Sequence, residues 1–159
     1  MIKHPLKPIY NKSSKILILG TMPSVKSRQY GFYYAHPQNR FWKILEIVFN
    51  AKIINKEEFL LNNNIALWDV IKSCDIKGSS DSSIKNVIPN DIESLINKTK
   101  IKYIFCTGKT AYNLYNKYIY KSIKIKAICL PSPSPANCKI TMNEIIKEYT
   151  IIKNCLKEE

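Results

Sequence analysis

Short, wholly apolar runs alternate along this chain with stretches in which apolar residues recur every three or four positions. Residues 16–19, Ile-Leu-Ile-Leu, form a continuous run closed by Gly20, which suits a strand buried on both faces. Phe41, Ile44, Leu45, Val48 and Phe49 then mark one face of a helix. A shorter helical pattern covers residues 57–61, Asn62 to Asn64 end it, and residues 65–71 read as a second strand. Residues 72–86 hold the polar stretch Gly78-Ser79-Ser80-Asp81-Ser82-Ser83 and are expected as a loop, too long for a tight turn and therefore functional or mobile. Pro89-Asn90-Asp91 opens a helix over 91–98, with Asp91 and Glu93 where the helix dipole favours acids. A third strand over 103–107 turns at Gly108 into a helix over 110–118, and a fourth strand covers 127–130. The last amphipathic helix carries Ile140, Ile145, Ile146, Tyr149 and Ile152, and residues 1–14 form a polar lead.

Strands alternating with helices predict a parallel sheet covered on both faces. The expected fold class is α/β: a single domain over residues 1–159, three-layer α/β/α, with a central, mostly parallel four-stranded sheet. At 159 residues and 45% hydrophobic content, the chain is long enough for one continuous core. The first and fourth strands each run into an unusual loop, and in a parallel sheet both loops emerge at the same edge. Together they are expected to wall one crevice, the place where open α/β sheets hold their ligands.

Charge narrows the class of ligand. The net charge is +13, a field that attracts polyanions. A coding bias is the alternative account, because 23 of the 25 basic residues are lysine. Arg28 and Arg40 stand apart, since both border the loop after the first strand and a guanidinium fork suits phosphate. No run approaches 18 apolar residues and the start lacks a signal-like apolar block, so a cytoplasmic protein without a membrane partner is expected. The five cysteines form no C-x-x-C pair, so no metal site is expected; Cys106 and Cys129 lie in apolar runs and read as buried packing residues. Gly108-Lys109-Thr110 fails as a P-loop because position 103 is Tyr, and neither G-x-S-x-G nor G-x-G-x-x-G occurs.

The loop after the first strand, Gly31-Phe32-Tyr33-Tyr34-Ala35-His36-Pro37-Gln38-Asn39-Arg40, concentrates aromatic rings between Gly and Pro, as a loop does when something flat lies against it. Three motifs, taken together and in this order, carry a resemblance: Gly20-Thr21-Met22-Pro23-Ser24, then Tyr34-Ala35-His36-Pro37-Gln38-Asn39-Arg40-Phe41-Trp42, then Leu130-Pro131-Ser132-Pro133-Ser134-Pro135-Ala136-Asn137. Over about residues 14–155 the chain resembles the uracil-DNA glycosylase superfamily, most of all its hypoxanthine-DNA (deoxyinosine) glycosylase branch.

That resemblance implies a monofunctional enzyme that flips a deaminated base, hypoxanthine favoured, out of DNA and hydrolyses its N-glycosidic bond. A uracil or mismatched-thymine glycosylase, and a DNA-binding module that has lost turnover, are the alternatives. It implies Asn39 as the catalytic residue, with His36 as a further catalytic candidate. Gly20, Thr21, Met22, Tyr33 and Tyr34 are implied as base-binding, and Ser24, Arg28, Arg40, Ser132, Ser134, Pro135, Ala136 and Asn137 as DNA-binding. No cofactor is implied, and the expected partner of a monomer is DNA containing deaminated bases. Two departures stand out. Met22 occupies a position where many relatives carry a carboxylate or amide, and Leu130 one where some carry a histidine. Asn39 has a rival reading as a helix cap, because it directly precedes a helix, and His36 one as a turn former.

Overall fold

The computed structural model describes residues 1–158. Four strands, β2 (Ile16–Gly20), β3 (Ile65–Asp69), β6 (Tyr103–Thr107) and β7 (Ala127–Leu130), form a parallel sheet in the order β3-β2-β6-β7. β2 lies at the centre, and its residues 16–19 are fully buried. Its alternation divides the core: Ile16 and Ile18 point into one layer, Leu17 and Leu19 into the other. The first layer is built from α2 (Phe41–Phe49), α3 (Lys56–Asn62) and α7 (Met142–Leu156), through Phe41, Ile44, Leu45, Leu60, Ile145, Tyr149 and Ile152. The second comes from α4 (Ile92–Asn97) and α5 (Lys109–Tyr118), through Ile92, Leu95, Ala111 and Tyr115. The three-layer α/β/α architecture with a four-stranded parallel sheet is therefore present. A short α6 (Tyr120–Ile123) connects α5 to β7.

Capping follows the sequence. Thr141 and Glu144 form a reciprocal capping box at the start of α7, and Asp91 accepts from the Ser94 N–H at the start of α4. Each satisfies donors that a helix start leaves orphaned.

Three segments differ from expectation. The run 65–71 is not one strand: β3 ends at Asp69, and β4 (Ile71–Asp75) begins after a crossover at Val70. The expected loop over 72–86 holds β4 and the start of β5 (Lys85–Pro89), an antiparallel pair joined through a 3₁₀ turn at Asp81–Ser83. The polar lead supplies β1 (Ile2–Lys3), which pairs with β4 and completes a second, three-stranded sheet. These strands escape an apolar count because, beyond Ile71, the residues that β4 buries are Ser73 and Cys74, and its ladder with β5 is irregular. A further short helix, α1 (Val25–Tyr30), occupies part of the expected loop after β2, capped by Ser24 and ended by Gly31 in the left-handed region. Cys106 is buried as expected, but Cys129 is exposed, because β7 is an edge strand of the sheet.

Buried Asn90 fastens the crossover between the two sheets. Its Nδ2 donates to the Asp69 and Ile71 carbonyls at 2.9 and 3.1 Å, and its backbone N–H to the Val70 carbonyl at 2.7 Å. The Val70 and Ile71 N–H groups in turn donate to the Gly20 and Thr21 carbonyls. The C-terminal ends of β2 and β3 are thereby locked side by side.

Candidate active site

A cavity of about 510 Å³ opens where the strands end. Residues 20–24 after β2, Tyr34 and Asn39 from the aromatic loop, and Ser132, Ser134, Ala136 and Asn137 after β7 all contribute to its wall. The two loops after the first and fourth parallel strands thus meet in one crevice. Ser79, Ser80, Asp81 and Ser82 of the serine-rich stretch line it as well. Its volume lies within the range of roughly 300–1,000 Å³ usual for small-molecule sites.

Tyr34 is held in an uncommon way. Its φ of 53° places a bulky residue in the left-handed region, a strain of about 1–3 kcal/mol that functional sites tend to store. Its ring stacks on Phe41 at 3.9 Å between centroids and 16° between planes, and its hydroxyl lies 2.9 Å from Thr107 Oγ1. Burial and then the charge of Asp69 raise the Tyr34 hydroxyl pKa well above the ordinary phenol value, so it stays protonated. Tyr33 borders the cavity, but its ring is a core aromatic. It is 3% exposed, its hydroxyl donates to the Lys7 carbonyl at 2.6 Å, and its own carbonyl accepts from Trp42 Nε1.

Asn39 stands on the cavity wall with its amide oxygen accepting from the Phe41 N–H at 2.9 Å. That bond satisfies a donor at the start of α2, which has no side-chain cap on Arg40. His36 lies outside the wall. Its Nδ1 accepts from the Gln38 N–H at 3.1 Å and its carbonyl from the Asn39 N–H, so it shapes the turn that presents Asn39. Met22 lines the cavity with an apolar side chain, unable to polarise water.

Both arginines, expected to meet phosphate, also donate to backbone carbonyls of the wall. Arg40 donates to the Ile140 and Asn137 carbonyls at 2.9 and 2.8 Å, and its backbone N–H donates to the Pro133 carbonyl. It clasps the loop after β7 against the start of α2. Arg28 donates to the Gly78 carbonyl at 2.8 Å and ties α1 to the serine-rich stretch, while Ser79 Oγ accepts from the Val25 N–H. These bonds from the guanidinium groups to backbone carbonyls order the loops of the wall. Ser24 likewise serves first as the cap of α1, accepting from the Ser27 N–H.

The loop after β7 is internally braced. Ser132 Oγ accepts from the Ser134 N–H, Ser134 Oγ from the Ala136 N–H, and Asn137 Nδ2 donates to the Ser132 carbonyl. Pro135 lies in this loop outside the wall. Gly108, at φ 105°, sits so close that a Cβ there would come within 3.2 Å of Ser132 Cβ.

Sequence reasoning missed Asp69 and Thr107. Asp69 ends β3, is 3% exposed, lines the cavity, and holds His4 Nε2 at 2.7 Å through Oδ2. A Cβ on Gly20 would lie 2.4 Å from Asp69 Oδ1 and 2.9 Å from the Tyr34 hydroxyl, which is why position 20 carries no side chain. The available signal was an acid inside an otherwise apolar strand run, Trp68-Asp69-Val70.

The model of the uracil DNA glycosylase superfamily matches residues 7–154. The chain belongs to that superfamily. It is 31% identical over 149 residues to a hypoxanthine DNA glycosylase of Methanosarcina acetivorans, covering 90% of this chain and 93% of that protein. To a hypoxanthine DNA glycosylase of Methanosarcina barkeri it is 32% identical over 115 residues, 69% of this chain and 73% of that one. Among solved structures, the solution NMR structure of a candidate uracil DNA glycosylase from M. acetivorans superposes with a TM-score of 0.83 at 29% identity. The match covers 99% of this chain and 100% of the other. No helix among the described residues is long and apolar enough to cross a membrane.

Proposed function

We propose that this superfamily member is a monofunctional DNA glycosylase, acting as a monomer and a single domain, that releases a deaminated base from DNA, hypoxanthine foremost. The observation that carries this reading is the crevice in which all three motif loops meet, with Tyr34 backed by Phe41 on its wall. The relatives named as hypoxanthine DNA glycosylases support the choice of base.

Hydrolysis requires the nucleotide to leave the stack, since neither the bond nor the face of the sugar can be reached within the duplex. A ring whose one face is covered by Phe41 offers its other face to a flat base. Asn39 then orients a water toward the sugar. Its amide oxygen keeps a second lone pair beside the Phe41 bond, and an amide aligns water without acting as a strong base. Cleavage develops positive charge on the sugar and negative charge on the departing base, which fixed dipoles of the wall and the DNA phosphates stabilise. The braced loop over 131–137 grips the backbone beside the flipped nucleotide, and the net charge of +13 draws the polyanion in.

Duplexes containing deoxyinosine, deoxyuridine, deoxyxanthosine or mismatched thymidine test this directly. The expected result is free hypoxanthine and an intact abasic strand, unaffected by EDTA. Failure to release any base from the panel would overturn the enzymatic reading and favour a non-catalytic DNA-binding module, the outcome to which Met22 in place of a polar residue points.

A further inference from the structure

The net charge of +13 finds no lysine or arginine in the crevice wall, whose charged residues among those described are Asp69 and Asp81. It collects instead at the opposite edge of the parallel sheet, where the strands begin. Residues 11–15 lead into β2, 98–102 into β6 and 119–126 into β7. These eighteen residues hold eight of the 23 lysines of the 159-residue chain and no aspartate or glutamate, about three times the mean lysine density. A coding bias raises the number of lysines everywhere; it does not clear acids from three segments that are distant in sequence and adjacent in space. The Lys100 N–H donates to the Ser14 carbonyl at 3.1 Å and the Lys102 N–H to the Lys15 carbonyl at 3.0 Å, which joins the first two segments. The register of β6 with β7 sets Ile104 beside Ala127 and so brings the third alongside. Lys15, Lys100 and Lys102 line a recess of about 630 Å³ together with Thr99, Tyr103 and Glu158. Glu158 accepts from the Tyr103 hydroxyl, and among the described residues no lysine of these segments forms an ion pair with a carboxylate. Cations gathered without counter-charge repel one another, and a polyanion relieves that repulsion.

We propose that this edge is a second DNA-binding face, which holds the phosphate backbone of a duplex segment other than the one whose base occupies the crevice. The choice of DNA among polyanions rests on the glycosylase reading. Strands of four or five residues, at about 3.3 Å each, set the two edges about 15 Å apart at opposite ends of the sheet. Duplex DNA is stiff over about 150 base pairs, so a segment seated at the crevice does not curl round the sheet to reach the other edge. Lysine ammonium groups are compact point charges that suit phosphate oxygens, and contacts to phosphate carry no sequence information, so the second face binds any duplex. A protein that holds two segments at once passes from one to the other without a free interval in solution. Search then extends between segments, which sliding along one duplex does not provide.

The triple variant Lys15→Gln, Lys100→Gln, Lys102→Gln removes three charges far from the crevice. Protein is loaded on a fluorescent undamaged duplex, and unlabelled duplex is added at rising concentration. In the parent the exchange rate is expected to climb with the competitor, because the second duplex binds before the first one leaves. In the variant this competitor-dependent exchange is expected to fall by on the order of tenfold, from the loss of three phosphate contacts. Capture of a labelled duplex on beads that carry another duplex is expected to fall in parallel, while single-turnover release from deoxyinosine DNA at saturating enzyme stays at the parent level. A parent exchange rate indifferent to competitor, or a variant that exchanges like the parent, would overturn the proposal. So would release that slows as much as exchange, since the lysines would then serve the crevice. Exchange and capture require no base release, so they decide the second face even where the parent releases no base and the glycosylase reading fails. Should the triple variant not fold, lysine acetylation of the parent, read by mass spectrometry, replaces it. With the crevice filled by an equimolar deoxyinosine duplex, excess undamaged duplex is expected to protect Lys15, Lys100 and Lys102. Labelling unchanged by the excess would sink the assignment.

Discussion

Replacing Arg40 by Lys keeps the charge and removes the fork. In the parent, two guanidinium hydrogen bonds of 2.8 and 2.9 Å hold the Asn137 and Ile140 carbonyls, and the backbone of Arg40 holds Pro133. Hydrogen bonds to a charged group contribute about 1.5–3 kcal/mol each when buried. Arg40 is only half-buried, so solvent reduces the pair to roughly 2 kcal/mol. In a chain of this size that corresponds to a melting temperature lower by roughly 4–8 °C. A slackened loop over 131–137 must be ordered again on binding, so DNA affinity is expected to fall by up to about tenfold, equivalent to 1.4 kcal/mol. A lysine that merely contacted phosphate would do neither. Arg40→Met adds a second arm. Loss of a direct phosphate contact would make the slope of log affinity against log salt shallower by about 0.9, whereas loss of a loop clasp leaves it unchanged. Thermal unfolding and anisotropy titrations across salt concentrations measure both. A parent-like melting temperature in Arg40→Lys, together with a shallower slope in Arg40→Met, would refute the clasp.

Asn39→Ala is expected to slow single-turnover release by on the order of 10²-fold and to cost about 1 kcal/mol of stability, because one amide serves both the water and the Phe41 N–H. A less stable but fully active variant would end its catalytic role, and Asn39→Asp, which retains the oxygen for Phe41, should keep the stability. Gly20→Ala introduces a Cβ 2.4 Å from Asp69 Oδ1 on a backbone that alanine tolerates, so the cost is steric, about 1–3 kcal/mol. Calorimetry and release assays should both register it, and a parent-like variant would show that Asp69 and Tyr34 yield freely. Burial pushes the Cys106 thiol up from 9.0 to about 12. Its contribution is therefore complete below pH 9 and lost as pH rises toward 12, at up to about 1.4 kcal/mol per pH unit. Melting curves from pH 8 to 11 should fall less steeply for Cys106→Ala than for the parent, and equal slopes would contradict this.

The pattern of apolar positions alone determined the four strands of the parallel sheet, one of them buried on both faces, and the main helices of both layers. Each of these is a local period set by which face must leave water, and residues 16–19, buried on both sides of β2, needed no neighbour to be recognised. The motif loops were legible for the same reason, as Gly, Pro and polar clusters interrupting those periods. Contacts between distant positions were not. β4 reads as a loop because its inward residues include Ser73 and Cys74, and only pairing with β1 and β5 makes it a strand. Arg40 suggests a phosphate ligand in the sequence, and nothing there shows that its fork also holds carbonyls about a hundred residues away. Asp69 lies in a strand run where an acid reads as an anomaly. Its meaning depends on His4, 65 positions earlier, on Gly20 making room, and on Asn90 holding the crossover. Period and composition report what each residue prefers; which side chains end up facing the cavity is decided where the chain crosses itself.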